Sequence, residues 1–255
     1  MISASFDGPI PGSRFRTPSG SRGFSLIEVA IVLFIITLVL GSLLVPLGSQ
    51  VEQRQISDTQ KALDEIKEAL IGFALVNGYL PCPDKTGGGG AGTANDGAED
   101  ATGGACVVQE GNLPWQTLGV SPTDTWGNRF RYRVTNAFSA RSPGIPFTLA
   151  SAGTLTVMCP ATACPTATNY TTTSPAVLLS HGKNGWGAMN ASTVTANPAP
   201  TSTDELENTD GTADSIYVSR PPSPVGSTAG EFDDVVAWLS VNILFNRMVA
   251  GGKLP

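Results

Sequence analysis

The sequence is short of positive charge and of histidine. Lysine and arginine number 15 against 21 acidic residues, which gives a formal net charge of −6, and His181 is the single histidine. Phosphate binding needs a basic face, so nucleic acid is not expected as a partner. Ser180-His181-Gly182-Lys183 lacks a nucleophile in a Gly-x-Ser-x-Gly turn, so we expect a loop histidine at a strand end rather than a general base. The sequence therefore predicts a protein that is not an enzyme.

Charge is also missing from Val29 to Leu47, a run of nineteen largely apolar residues. From Phe24 to Leu47 the segment would measure roughly 36 Å as a helix at about 1.5 Å per residue, which is long enough to cross a bilayer. A secretory signal peptide and a plain single-span anchor are the simpler alternatives. However, the apolar part of a signal peptide is usually about 7 to 15 residues long and has no internal carboxylate, and a plain anchor does not explain Glu28.

Glu28 needs a partner if it lies in an apolar environment. A charge near the bilayer centre costs at least about 2 to 3 kcal/mol. If the chain is cut after Gly23, the new positive N-terminus at Phe24 could pair with Glu28 of a neighbouring subunit inside a filament core. The cut would leave 12 basic and 20 acidic residues, a formal charge of −8.

The run Gly23-Phe24-Ser25-Leu26-Ile27-Glu28-Val29 resembles the processing site of type IV pilins and type II secretion pseudopilins. The resemblance implies that a prepilin peptidase cuts between Gly23 and Phe24 and methylates the Phe24 amine, and that Glu28 guides docking with other pilin or pseudopilin subunits. It also implies a single-pass protein of the bacterial inner membrane with a periplasmic head, which later enters a pilus or pseudopilus filament.

The predicted fold class is α+β, with one long N-terminal helix packed on a small antiparallel β-sheet head that has long loops. Apolar residues recur at helical spacing downstream of the apolar run, at Ile56, Leu63, Ile66, Leu70 and Phe73, which indicates an amphipathic continuation of the same helix. Gly78 is expected to end it. The predicted parts are a leader (1–23), a transmembrane assembly helix (24–50), its amphipathic half (51–77) and a β-rich head (78–255).

Short apolar runs between turn residues predict the strands of the head. Phe130, Tyr132 and Val134 alternate with arginines, so one face of that strand should be core. Further strands are expected at Phe147 to Ala150, Leu155 to Cys159, Ala176 to Ser180, Ser215 to Ser219 and Val235 to Trp238, followed by a helix from Val241 to Val249.

All four cysteines, Cys82, Cys106, Cys159 and Cys164, follow the apolar run, and their even number fits an oxidising compartment. Three pairings are possible. We favour Cys82 with Cys106 and Cys159 with Cys164, since each pair closes a loop with little apolar material to hold it. A zinc site is the rival interpretation, although the spacings are not those of paired Cys-x-x-Cys ligands.

The segment from His181 to Asp214 is rich in oxygen ligands of the kind that calcium prefers. Its candidate ligands are Asp204, Glu205, Glu207, Asp210 and Asp214. In major pseudopilins a loop in this part of the chain binds calcium, whereas here Lys183 stands where an acidic ligand would be wanted, so a solvated acidic loop is the alternative. No other cofactor is expected.

Two adjacent carboxylates, Asp233 and Asp234, could in principle work as an acid and base pair. Neighbouring residues on a strand point to opposite faces, so we expect them instead to be strand-edge charges or partners for Arg129 and Arg131.

The leading functional hypothesis is a structural subunit, a minor pilin or pseudopilin of a type IV pilus-like filament. Asp124-Thr125-Trp126-Gly127-Asn128 resembles the Asp-Pro-Trp-Gly-Asn segment of the major pseudopilin of type II secretion, with Thr125 in the place of the proline. A component of a type II secretion pseudopilus is therefore one alternative. A membrane-tethered periplasmic adhesin or hydrolase is another.

Overall fold

The computed structural model describes residues 23–141, 147–209 and 214–255, with the backbone alone for residues 42–47. Apart from Gly23, the predicted leader lies outside the described residues. The chain divides into two compact units, residues 1–49 and 50–255.

Helix α1 runs from Leu26 to Asn77 and contributes residues to both units. At its C-terminal end Gly78 adopts a positive φ of 86°, and its N–H donates to the carbonyl oxygen of Ala74 at 2.7 Å. A glycine reaches this left-handed conformation without steric cost, which is why the helix stops here. The prediction of one long N-terminal helix ended by Gly78 is confirmed.

The second unit contains the strands of the described chain. In order they are β1 (Ala101–Thr102), β2 (Ala105–Cys106), β3 (Glu110–Asn112), β4 (Arg131–Val134), β5 (Leu155–Cys159), β6 (Thr168–Ser174), β7 (Ala176–Ser180), β8 (Ile216–Val218) and β9 (Val235–Trp238). The remaining helices are α2 (Trp115–Leu118), α3 (Asn136–Ser139), α4 (Thr203–Glu207) and α5 (Val241–Ala250).

A four-stranded antiparallel sheet in the order β3-β4-β7-β9 forms the centre of this unit. A second sheet has the order β6-β5-β8, in which β5 and β8 are parallel, and β1 pairs with β2. The mixed α+β class with an antiparallel sheet is as predicted, and the parallel pair is an addition to it.

Strand β7 is buried along its whole length because both of its faces are covered. Ala176 and Leu178 belong to a core that includes Leu63, Ile66 and Leu70 of α1. Val177 and Leu179 belong to a second apolar cluster with residues of β5 and β8. The amphipathic half of α1, the four-stranded sheet and the smaller sheet therefore form three layers. Leu63, Ile66 and Leu70 of the predicted stripe pack in the core with the sheet, whereas Ile56 and Phe73 are only half-buried.

The strand predictions agree with the structure at β5, β7 and β9, and with the centre of β8. Phe130, Tyr132 and Val134 are buried as the alternation predicted. The strand predicted at Phe147 to Ala150 is wrong, since this segment ends in a turn whose Ser151 N–H donates to the Thr148 carbonyl oxygen at 2.9 Å.

Candidate functional site

Glu28 takes part in a reciprocal hydrogen-bonded cap at the start of α1. The Ser25 N–H donates to Glu28 Oε2 at 3.1 Å, and the Glu28 N–H donates to Ser25 Oγ at 3.2 Å. Ser25 precedes the first helical residue and Glu28 follows three positions later, which is the spacing of a capping box. The carboxylate of Glu28 thus satisfies a backbone donor at the end of its own helix.

The first unit exposes apolar side chains around the whole circumference of the helix. Phe24 is 86% exposed and Leu26 88%, and large apolar residues from Ile27 to Leu40 are exposed as well. A helix that is apolar on all sides is typical of a segment buried by other molecules. Among the residues whose side chains are described, no helix combines the length and the mean hydropathy required of a membrane span.

Both disulfides are present with the pairing that the sequence favoured. Cys82 joins Cys106 across 24 positions, with Cα atoms 5.2 Å apart, and Cys159 joins Cys164 across 5 positions, with Cα atoms 6.0 Å apart. The first bond ties the segment after α1 to β2, and the second closes the turn that follows β5.

The five residues considered for calcium have different surroundings. Asp204 is buried in an ion pair with Arg220, and Asp214 is exposed, with its Oδ1 accepting the Ile216 N–H at 2.7 Å. Glu207 lies at the end of α4 and is half-buried. Asp210 lies outside the described residues. Glu205 is buried, and it belongs to a different cluster of acidic groups.

That cluster, which we call the carboxylate trio, consists of Glu205, Asp233 and Asp234. One oxygen from each residue lies within 4.8 Å of the others. The two aspartates follow Phe232 and precede β9, outside the regular strand, so the alternation of strand side chains does not separate them. The expectation that they would pair with Arg129 and Arg131 is wrong, because Arg131 pairs with Glu110 and Arg129 lies over the Trp115 ring.

Each carboxylate of the trio is held by one oxygen. Glu205 Oε1 accepts from Asn184 Nδ2 at 3.0 Å and from the Asp233 N–H at 3.1 Å. Asp233 Oδ2 accepts the Asn184 N–H at 2.8 Å, and Asp234 Oδ2 accepts from Asn208 Nδ2 at 2.8 Å. The second oxygens of Glu205 and Asp233 are buried and have no hydrogen-bond partner among the described residues. The trio therefore presents fixed oxygens with unused acceptor capacity.

Burial and mutual repulsion disfavour the charged forms of these groups. Burial, together with the negative charge of Asp234, raises the pKa of Glu205 to about 7, and the hydrogen bond from Asn184 limits the rise. Burial, opposed by the hydrogen bond from the Asn184 N–H and aided by the charge of Asp234, raises the pKa of Asp233 to about 6. Several carboxylates at one site are costly to ionise without a cation. Their chemistry and spacing fit a hard divalent ion, which takes oxygen ligands.

A left-handed glycine lets the backbone approach this site closely. Gly182 has a φ of 59°, and a Cβ atom there would lie 2.3 Å from the carbonyl oxygen and 2.4 Å from Oδ1 of Asp233. Glycine is thus required by both conformation and space.

The segment that resembles the major pseudopilin forms a tight turn. Asp124 Oδ1 accepts the N–H groups of Trp126 and Asn128, both at 2.9 Å, and Gly127 has a φ of 85°. The Thr125 hydroxyl donates to the Gln55 carbonyl oxygen on α1 at 3.2 Å. A proline at this position could not make that contact.

One comparison with known proteins gives a match, and it concerns the N-terminal segment. Residues 18–44 match the family model described as the prokaryotic N-terminal methylation motif. No curated protein and no solved structure matches the chain. The chain therefore carries the signature of type IV pilins and pseudopilins at its N-terminus, which supports a pilin-like or pseudopilin subunit.

Proposed function

We propose that this protein is a minor pilin or pseudopilin, a structural rather than enzymatic subunit of a type IV pilus-like filament. The observation that carries the proposal is the methylation motif at residues 18–44. The exposed apolar side chains from Phe24 to Leu40 support it, because a filament core would cover them. The loop-rich head favours a minor subunit at a tip or initiating position.

The proposed route begins in the bacterial inner membrane, with the head in the periplasm. A prepilin peptidase cuts between Gly23 and Phe24 and methylates the new amine, and the subunit then joins related subunits through residues 24–50. The two disulfides support an oxidising compartment for the head.

Mass spectrometry of the mature N-terminus tests this route. We expect the chain to begin with methylated Phe24, and we expect Gly23→Ala to leave the protein unprocessed. A Cβ at Gly23 meets no described atom within 4 Å, so the effect would report recognition by the peptidase and not a clash. Gly41→Ala is the matched control, since Gly41 is equally free of contacts and lies away from the cut. Normal processing of Gly23→Ala would contradict the proposal.

A component of a type II secretion pseudopilus is the second candidate, favoured by the turn at Asp124 to Asn128. Neighbouring genes for a secretin, an assembly ATPase and pseudopilins would support this assignment, and loss of secretion without loss of surface pili in a deletion strain would separate it from a pilus role. If the protein stays in the membrane fraction with unmethylated Phe24, a membrane-tethered adhesin or hydrolase becomes the better explanation.

We further propose that the carboxylate trio binds a hard divalent cation of the calcium type. The proposal keeps Glu205 from the ligands expected from sequence and adds Asp233 and Asp234. It is supported by the fixed, partnerless oxygens and by the raised pKa values of Glu205 and Asp233. The bound cation would hold α4, which carries Glu205, to the segment before β9, which carries Asp233 and Asp234, and no catalytic role is assigned to it.

Isothermal titration of the full-length protein in detergent with calcium chloride tests the cation site. We expect saturable heat for the wild type and at least about a tenfold weaker Kd for Glu205→Gln, since one charged ligand is lost. Asp214→Asn removes the same charge from an exposed position and should bind as the wild type does. Equal binding by all three proteins, or no heat with the wild type, would refute this assignment.

A further inference from the structure

His181 is one of the residues that line a small polar cavity in the head. The cavity has a volume of about 80 Å³, which corresponds to roughly two or three water molecules at about 30 Å³ each. Its polar lining residues are Thr86, Asn112, Arg129, Arg131 and His181. This size suits a small ligand or a few water molecules.

Arg129 brings unused hydrogen-bond donors to the cavity. Its guanidinium carbon lies 3.8 Å from the centre of the Trp115 ring. Its Nε is buried, and within the described ranges it has no hydrogen-bond partner. Arg131 differs, because it pairs with Glu110 and donates to the Thr209 carbonyl oxygen at 3.2 Å. Arginine carries five N–H donors in a planar fork that matches oxyanions.

Asp84 is the acidic group whose charge acts on Arg129. Its Oδ1 accepts the Asn95 N–H at 2.9 Å, and its Oδ2 accepts the Gly97 N–H at 3.0 Å. Asp84 therefore makes these hydrogen bonds within its own loop, while its charge still acts on Arg129.

His181 is the second partnerless group on the cavity wall. Its side chain is fully buried, and neither ring nitrogen has a hydrogen-bond partner in the described part of the chain. The distance from Nδ1 to Asp234 Oδ1 is 3.6 Å, which is too long for a hydrogen bond. Even a neutral imidazole carries one N–H, and a buried donor without an acceptor is costly.

We propose that this cavity binds a small oxyanion whose oxygens accept hydrogen bonds from Arg129 and His181. The ligand class is a free phosphate-type or carboxylate-type anion that fits a space of about 80 Å³. Its oxygens would satisfy both partnerless groups at once, and the charge of Arg129 would offset the charge of the ligand. The site shares no residue with the carboxylate trio, although His181 Nδ1 lies 3.6 Å from Asp234 Oδ1.

Titration of the full-length protein in detergent with sodium phosphate and with sodium acetate tests the site, with sodium chloride at equal ionic strength as the reference. We expect a saturable rise in Tm and saturable calorimetric heat with at least one of the two anions. Saturation by phosphate alone assigns a phosphate-type ligand, and saturation by acetate assigns a carboxylate-type ligand. No saturable effect of either anion would mean that the cavity holds only water and would overturn the proposal.

Three variants locate the effect. Arg129→Gln should weaken the Kd at least about tenfold because a charge-assisted hydrogen bond is lost, and Arg129→Lys, which keeps the charge but not the planar fork, should also weaken it. Arg247→Gln removes the same charge from an exposed surface pair with Glu68 and should leave the Kd unchanged. If Arg129→Gln does not fold, the comparison of Arg129→Lys with Arg247→Gln decides. Equal Kd values for the Arg129 and Arg247 variants would overturn the proposal.

Discussion

At the scale of single residues, Glu28 has two properties that can be separated: the negative charge of its carboxylate, and the ability of its side-chain oxygen to accept a hydrogen bond. The proposed docking role needs the charge, since it pairs with the amine of a neighbouring subunit. The cap on α1 needs only an acceptor at this position, because glutamine also serves in a capping box. The cap is present within one chain, so loss of assembly in a Glu28→Ala variant alone would not identify the cause.

Glu28→Gln separates the two properties. We expect it to keep the cap and to enter filaments as poorly as Glu28→Ala, because both variants lose the charge. Ser25→Ala removes the reciprocal hydroxyl acceptor, which should cost about 0.5 to 2 kcal/mol of helix stability, and keeps the charge, so it should assemble more efficiently than either Glu28 variant. The measurement is the ratio of processed protein in sheared filaments to that in membranes.

One combination of results would contradict the docking role of the Glu28 charge. Near-normal incorporation of Glu28→Gln together with failure of Glu28→Ala and Ser25→Ala would mean that the cap, and not the charge, is what assembly requires.

At the scale of elements, the distal half of α1 is held to the head by a few buried side chains. Leu70 is fully buried in the core shared with the four-stranded sheet. We expect Leu70→Ala to lower the free energy of unfolding by about 2 to 5 kcal/mol, through lost apolar burial and the cavity that remains. Val76→Ala on the same helix is the control, because Val76 is 74% exposed and should change stability by less than about 0.5 kcal/mol. Urea denaturation followed by circular dichroism measures both.

The two disulfides should differ in their contribution to stability. Loop-closure entropy predicts about 3.5 kcal/mol for the bond that spans 24 positions and about 2 kcal/mol for the bond that spans 5. Cys82→Ser with Cys106→Ser should therefore lower the Tm more than Cys159→Ser with Cys164→Ser. An equal loss of Tm in the two double variants would contradict this ranking.

Several helices and strands could be predicted, because a buried face requires apolar residues at the spacing of its helix or strand. Strand β7 is a continuous apolar run since both of its faces are covered, and the stripe on α1 has the helical period. Strand β6 was not predicted, because Thr168 to Ser174 has no apolar run or alternation and is exposed along most of its length. Its threonines and Tyr170, which are enriched in strands, were the signal that the sequence offered. The strand expected at Phe147 to Ala150 was wrong because Phe147 alone is buried there, and the remaining residues form an exposed turn.

The candidate sites were harder to predict from the sequence, because they form where segments that are distant in the sequence come together in the fold. Ser25 and Glu28 match the capping-box pattern and could have been found from spacing alone. Asp233 and Asp234 converge on Glu205 only because the chain is irregular between Phe232 and β9. The position of Arg129 beside the cavity depends on which arginines form ion pairs with Glu110. Arg131 forms such an ion pair, and Arg129 instead lies over the Trp115 ring. No local pattern encodes that choice.

At the scale of the whole molecule, the carboxylate trio links the stability of the head to pH and to divalent cations. The raised pKa values of Glu205, about 7, and Asp233, about 6, mean that the folded head binds more protons than the unfolded chain between about pH 4 and about pH 7. Without a divalent cation, the free energy of unfolding should therefore fall as the pH rises through this window. Above it the full penalty of ionising the trio is present.

Calcium should reverse this trend, because it binds the ionised carboxylates that are costly when the site has no cation. At pH 8 and about a hundredfold excess over Kd, we expect calcium to raise the Tm by roughly 5 to 10 °C. At pH 5 the rise should be much smaller, since protons compete for the same oxygens. Thermal melts in calcium and in a chelator at both pH values give the measurement. Glu205→Gln should weaken the pH dependence, to which Asp233 and Asp84, each with a pKa of about 6, still contribute. It should also reduce the calcium effect, whereas Asp214→Asn should keep both. A Tm rise equal at pH 5 and pH 8 would place the cation at groups other than the trio, because only acids that titrate within this window can couple the two variables.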